Sequence, residues 1–183
     1  MSRYHLEDRL KNKPDIQRSY LWELIIPDIG SVSDSVKDAD ELVTRVRTTN
    51  LPGRGVEVIQ SDFMGMRQMF PGRVNFSHTL QVTFEELENQ IVSTVLYEWS
   101  NKIFDIRHGS PTGGVAQVSR KRDIAKDIII RQVAYDGSYL KNAYKLVNCF
   151  IQNYDEVSLD YTQNDKIMIP VSFSFDYWEF TKP

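Results

Sequence analysis

The chain has 183 residues, with 22 Lys and Arg against 25 Asp and Glu, a formal net charge of −3, 41% hydrophobic residues and one cysteine. That charge argues against a dedicated nucleic-acid binder, which carries a strong basic excess. A lone cysteine excludes an intrachain disulfide framework, and no apolar run approaches the roughly 20 residues of a membrane helix. With no apolar signal core at the N-terminus either, the expectation is a soluble, cytosolically made protein, 1–183, forming one domain around a single core.

Residues 1–19 are polar and mixed in charge and read as an N-terminal arm, frayed or ordered on a neighbour. Tyr20 to Ile26 reads as a first strand, stopped by Pro27 and Gly30. Asp28 to Glu41, acidic and Ser-rich, reads as a surface loop. Leu42 to Thr49 reads as a second strand, broken by Asn50-Leu-Pro-Gly-Arg-Gly55. An irregular extended run from Val56 follows. Phe70-Pro-Gly-Arg73 carries a turn signal, and Val74 to Glu85 alternates as the returning strand, with a bulge expected near Asp62–Gly65. Phe76, His78, Leu80, Val82 and Phe84 share one face; Asn75, Ser77, Thr79, Gln81, Thr83 and Glu85 share the other.

Ile91, Val92, Val95, Leu96, Trp99 and Ile103 recur at helical spacing, predicting one packed helix at about 88–104, with Glu85, Glu86 and Glu88 at its favourable end. A basic, Gly-rich loop from Arg107 reaches Arg120, Lys121 and Arg122. Strands are expected at 127–134, 144–152 and 157–161, with Asp136–Gly137 and Asn164–Asp165 as turns. The closing strand, Asp165 to Glu179, places Ile167, Ile169, Val171, Phe173, Phe175 and Tyr177 on a buried face and Ser172, Ser174 and Asp176 on a wetter one. Strands, one helix, then strands make a mainly β fold: a sandwich or open barrel with one packed helix.

Little of the chain suggests chemistry. The three histidines, His5, His78 and His108, show no metal-ligand spacing. His78, on an apolar face, reads as a hydrogen-bonded core residue, and Cys149, alternating with Val147 and Ile151, as a small core residue. Gly109 to Gly114 lacks the spacing of a phosphate-binding loop. The expectation is a non-enzyme without metal or cofactor. Two features ask for more than a monomer. Met64, Met66, Met69 and Phe70 crowd the approach to a hairpin turn, where they either fold back on the core or meet another subunit. The polar face of 74–85 and the Ser172, Ser174, Asp176 face are either solvent-exposed or walls of a shared lumen. Arg120, Lys121 and Arg122 read as a solvated patch or a contact to an acidic neighbouring subunit.

Thr49-Asn-Leu-Pro-Gly-Arg-Gly-Val56 leading into Phe63-Met-Gly65, Leu80-Gln-Val-Thr-Phe84, Leu159-Asp160 with Asn164-Asp165, and Ser174-Phe-Asp-Tyr-Trp-Glu179 occur in an order and spacing that resembles the tail tube proteins of contractile-tailed, T-even-type bacteriophages, from about Ser19 to Glu179. The segments around Asp28–Glu41 and Arg107–Arg122 look longer than that family's minimum. The resemblance implies a structural virion protein whose hexameric rings, each with a common inner β-barrel, stack into a tube that conducts double-stranded DNA during genome ejection. It also implies partners: the chain itself, tail sheath, baseplate tube-initiator and tape measure proteins. The implied lumen residues are Asn75, Ser77, Thr79, Gln81, Thr83, Ser172, Ser174 and Asp176. The implied subunit contacts are Met64, Met66, Met69, Phe70, Arg120, Lys121 and Arg122. A tube-initiating or tail-terminal ring of the same fold is the alternative within the family. A monomeric carbohydrate-binding β-sandwich is the alternative outside it.

Overall fold

Alternation of apolar and polar residues builds the central strands, and the computed structural model shows where that alternation holds and where it breaks. It describes residues 16–33, 39–106, 119–162 and 164–182. Nine strands are seen there: β1 (Trp22–Ile25), β2 (Val46–Thr49), β3 (Gly55–Phe63), β4 (Met66–Asn75), β5 (Thr79–Glu85), β6 (Lys126–Gln132), β7 (Ala143–Tyr154), β8 (Met168–Ser174) and β9 (Tyr177–Thr181). The helices are α1 (Ala39–Val43), α2 (Ile91–Ile103) and α3 (Lys121–Ile124), with a 3-10 turn at Ile29–Ser31. Seven strands form one antiparallel sheet in the order β1-β6-β7-β8-β5-β2, with β9 also on β7; β3 and β4 pair only with each other. The fold is mainly β around an open sheet. Its end strands β1 and β2 do not pair, and Trp22 and Thr49 flank a groove of about 310 Å3 between them.

One face of the sheet is dry. Leu80, Val82 and Phe84 of β5, Ile169, Val171 and Phe173 of β8, and Ile128 and Ile130 of β6 are buried in one cluster with Val92, Val95, Leu96 and Trp99 of α2. Trp99 sits at its centre, 1% exposed. Its ring lies 5.7 Å from that of Phe173, and its indole N–H donates to the Ile124 carbonyl at 2.9 Å. The N-terminus of α2 is capped from a distance: the Glu86 carboxylate accepts from the backbone N–H of Ser93 at 2.7 Å and of Val92 at 3.3 Å, meeting donors a helix cannot satisfy itself.

Strand β7 is the spine, with β6 along one edge and β8 then β9 along the other. Its inward parity flips between Leu146 and Cys149, at Asn148 with φ of 57°. The closing segment flips in step, from Phe173 and Phe175 to Trp178, which packs on the core. Because both strands flip together, the register survives: Phe150 pairs Ser174 before the bend and Val147 pairs Tyr177 after it. The expected single closing strand is therefore two; Tyr177, 49% exposed, and Ile167, 40% exposed and ahead of β8, are not inward as expected.

Other expectations are corrected. Residues 42–44 are helix and turn, so the second strand is only β2, and the presumed 28–41 surface loop buries Ile29, Val32 and Ser33 in its described part. The hairpin turns at Met64–Gly65, not at Phe70–Arg73. Both turn residues have positive φ (48° and 77°), the conformation that matches strand twist in a two-residue hairpin. Pro71 and Gly72 lie inside β4, at a register shift where the ladder already gives up a bond. A side chain at Gly72 would come within 3.0 Å of the Glu57 carbonyl oxygen. The expected 74–85 strand breaks at Phe76–His78, where His78 has φ of 49°. His78 is exposed, not core, and its Nδ1 lies 3.1 Å from the Phe175 carbonyl, so the acceptor requires the proton on Nδ1. The 157–161 segment forms no strand. Residues 1–15 of the arm and 107–118 of the basic loop, with His5, His108 and Gly109–Gly114, lie outside the described residues.

Replacing Trp99 with Ala should cost about 3–5 kcal/mol of unfolding free energy, measured by chemical denaturation. Trp99→Phe, which keeps a smaller aromatic ring against Phe173 and loses the hydrogen bond to Ile124, should cost less.

Candidate functional site

Two surfaces are candidates: the β3–β4 arm and the polar face of the sheet opposite α2. The arm is a long two-stranded ribbon on which every described side chain is exposed and only Gly72 is partly covered. Cross-strand partners share a face. One face carries Ile59 with Phe70 and Phe63 with Met66; the other carries Val58 with Pro71 and Gln60 with Met69. Near the tip, Asp62 and Arg67 form an ion pair at 3.0 Å. Met64 at the tip is 88% exposed and Phe63 is 67% exposed. Met64, Met66, Met69 and Phe70 thus do not fold back on the core. A two-stranded hairpin is marginal in water by itself, and burying each of these side chains is worth roughly 1.5–3 kcal/mol. The expectation missed Val56, Val58, Ile59 and Phe63, which belong to the same ribbon; their alternation was hidden by placing the turn too late.

The polar face is assembled by register. Thr48 lies beside Thr83; Gln81 pairs Ser172, which pairs Asn153; Thr79 pairs Ser174, which pairs Phe150. Ser172 Oγ donates to Gln81 Oε1 at 3.1 Å. Thr79, Gln81, Thr83, Ser172 and Ser174 are thus brought together, while Asn75 ends β4 at the arm base, Ser77 lies in the break, and Asp176 lies in the bend. Thr48 and Asn153 also join the face. They were missed because strand neighbours, not spacing, place them there.

Cations sit at the two ends of this face and are engaged within the chain. Glu85, 5% exposed, binds Arg47 and, at 2.8 Å, Lys166. The hydrogen bonds from Lys166 and then Arg47 hold its carboxyl below the usual range, against the opposing effect of burial. At the other end Asp176 binds Lys121 and accepts from Asn148 Nδ2 at 2.9 Å, and its carboxyl is likewise lowered, mainly by Lys121. The Lys121 ammonium also stands 5.6 Å over the Phe150 ring. Of the basic cluster, Lys121 is therefore tied to its own chain, Arg122 pairs with Asp123 at 3.4 Å, and Arg120 is exposed at the start of α3.

Among the described residues, neither surface brings together a catalytic arrangement. Cys149 is fully buried, its thiol pushed up to about 12 by desolvation, which suppresses the thiolate a nucleophile needs. No group of three His, Cys, Asp or Glu converges as a metal site among the described residues.

The profile of the family described as phage tail tube protein matches residues 18–181. A comparison with curated proteins gives no significant match. Among solved structures the chain is similar to the sheath/tube terminator of an extracellular contractile injection system (PVC) in its extended state. That similarity has a TM-score of 0.63 and 17% identity, covering 93% of this chain and 99% of that one. It is similar to a chain of the sheath–tube complex of the same kind of system, at 0.58 and 16%, covering 99% and 100%. A further similarity is to the SPP1 tail tube, at 0.54 and 12%, covering 92% and 80%. At these identities the structures show a shared fold.

Both Glu85 and Asp176 have folded-state carboxyls below their ordinary values of 4.5 and 3.8. The unfolded chain therefore binds more protons, and their stabilisation, complete above those values, is lost as pH falls through and below them. Thermal midpoints should drop across that acid range. Glu85→Gln should lower the midpoint at neutral pH and make the acid decline shallower.

Proposed function

The chain belongs to the phage tail tube protein family, and from that premise we propose that it assembles into hexameric rings that stack as the inner tube of a contractile tail, through which double-stranded DNA passes during ejection. The observation that carries this reading is the exposed β3–β4 arm. A ribbon of this length with apolar side chains on both faces is a liability on a free monomer and a contact element in an assembly. The whole chain, 1–183, acts as one tube unit. It contributes its polar face and Asn75, Ser77 and Asp176 to the lumen, and the arm with Arg120 to subunit contacts.

The lumen assignment is supported by charge. The rungs of the polar face carry hydroxyls and amides with the uncharged Pro170 and Phe150, and the nearby Arg47, Lys166 and Lys121 are already paired with carboxylates. A wall with unpaired lysines and arginines would hold phosphates through salt-dependent contacts and slow passage. Sheath, tube-initiator and tape measure proteins complete the tail, with assembly in the host cytoplasm and function in the particle. A single terminal ring is the second reading, favoured by the shared fold with the PVC terminator.

Purified protein at high concentration should form rings or tubes by negative-stain microscopy and light scattering; a monomer at every concentration would falsify the assembly reading and favour a binding module. Many copies per particle mark the tube, a single ring's worth marks the terminator. Gln81→Cys should react with a bulky maleimide polymer as free subunit and resist it inside tubes. Equal reactivity in both states removes the lumen assignment.

A further inference from the structure

The sulfur of this chain is unevenly distributed. Three of its five methionines, Met64, Met66 and Met69, fall within one short stretch of the β3–β4 arm, and the single cysteine lies elsewhere. None of the apolar residues buried in the core is a methionine, and Met168 at the start of β8 is partly buried. On the arm the three are 88%, 70% and 56% exposed. Register spreads them over the ribbon: Met66 pairs Phe63 on one face, Met69 pairs Gln60 on the other, and Met64 occupies the turn with φ of 48°. A surface that covers either face of the arm, or its tip, therefore meets a thioether. Cys149 does not compete for oxidants. It is fully buried and its thiol is pushed up to about 12, so the thiolate that reacts with peroxides is scarce. Among the described residues, the readily oxidised sulfur is on the arm.

We propose that Met64, Met66 and Met69 form a reversible modification site: a peroxide converts them to sulfoxides in the free subunit and withdraws that subunit from assembly until the sulfur is reduced. The reading rests on the self-assembly argued above. The chemical step balances without help from the protein. A sulfur lone pair attacks one oxygen of hydrogen peroxide, the S–O bond forms as the O–O bond breaks, sulfur gives up two electrons, and water leaves. Solvent carries the proton transfers, so an exposed thioether needs no neighbouring acid or base. The consequence follows from burial. A methionine side chain is a flexible apolar group that gains by leaving water. Its sulfoxide carries a hydrogen-bond acceptor that loses water on burial and costs free energy unless a donor replaces it. Leucine at these positions would bring similar apolar volume with no reactive sulfur. With three such sites in every copy, oxidation acts on every contact the arm makes. Once the arm is covered, the oxidant is excluded, so the sensitivity belongs to the unassembled pool.

Free subunits treated with hydrogen peroxide should gain one oxygen at each of Met64, Met66 and Met69, located by peptide mass mapping, with unchanged circular dichroism. Their sedimentable fraction should fall about tenfold or more. Methionine sulfoxide reductases A and B, one for each sulfoxide epimer, should restore it. Tubes assembled first should take up oxygen at these positions more slowly than free subunits. A chain carrying Met64→Leu, Met66→Leu and Met69→Leu should sediment to the same extent before and after peroxide. Oxidised subunits that assemble like untreated ones, a loss that the two reductases do not reverse, a loss that tracks oxygen at Met168 instead, equal uptake by tubes and free subunits, or a triple variant still inactivated by peroxide would each overturn the proposal while leaving self-assembly intact. An untreated wild-type chain that never assembles overturns the self-assembly reading itself.

Discussion

The packing of Trp99 is the interaction on which the rest of this structure depends. An open sheet with one apolar face needs a second layer, and α2 is the helix that supplies it for β5, β6, β7 and β8 together. Trp99 does this while touching the parts that most need fixing. Its ring meets Phe173 on β8, and its N–H holds the Ile124 carbonyl at the end of α3. By anchoring α3 it presents Lys121 to Asp176, which with Asn148 marks the bend where the β7 and β8–β9 strands change parity together. A core contact thus reaches the surface in two steps. After the bend, Tyr177, Trp178 and Phe180 of β9 line a groove with Arg54 and Phe76 at the base of the β3–β4 arm.

The chain treats its apolar residues in two opposite ways. In the sheet they are segregated to one face and covered. In the arm they stand on both faces and are uncovered, from Val56 to Val74. Charge is handled by the same division. Around the polar face the basic groups are neutralised inside the chain, by Glu85 and Asp176, whereas Arg54 and Glu179 at the arm base and Arg120 on α3 are exposed.

Where local pattern coincided with a single environment, the sequence was legible. The alternation in β5 and β8 and the apolar stripe of α2 named the core correctly, because burial on one side is the only stable outcome for such strands and helix. The Met-rich tip was also visible, as was the burial of Cys149. The misplaced turn shows the limit. Phe70-Pro-Gly-Arg73 satisfies the chemistry of a turn, yet a ribbon without outer neighbours can absorb Pro71 and Gly72 at a bulge, and Met64–Gly65 makes the reversal instead. Likewise Tyr177 continues the alternation on paper but falls after a flip that Asn148 and its partner strand impose jointly.

The sequence by itself determined the mainly β class, the one long packed helix, the apolar faces and the likeness to a tail tube, because each follows from short-range spacing or from motif order along the chain. Only the tertiary structure decided that the arm stands clear of the core, that Arg47 and Lys121 are neutralised, and that Tyr177, Trp178 and Phe180 open onto a groove at the arm's base. Those outcomes depend on which strands become neighbours and in what register. Pairs such as Glu85 with Arg47, or Phe76 with Phe175, are brought together by long-range pairing of strands, which spacing along the chain does not encode.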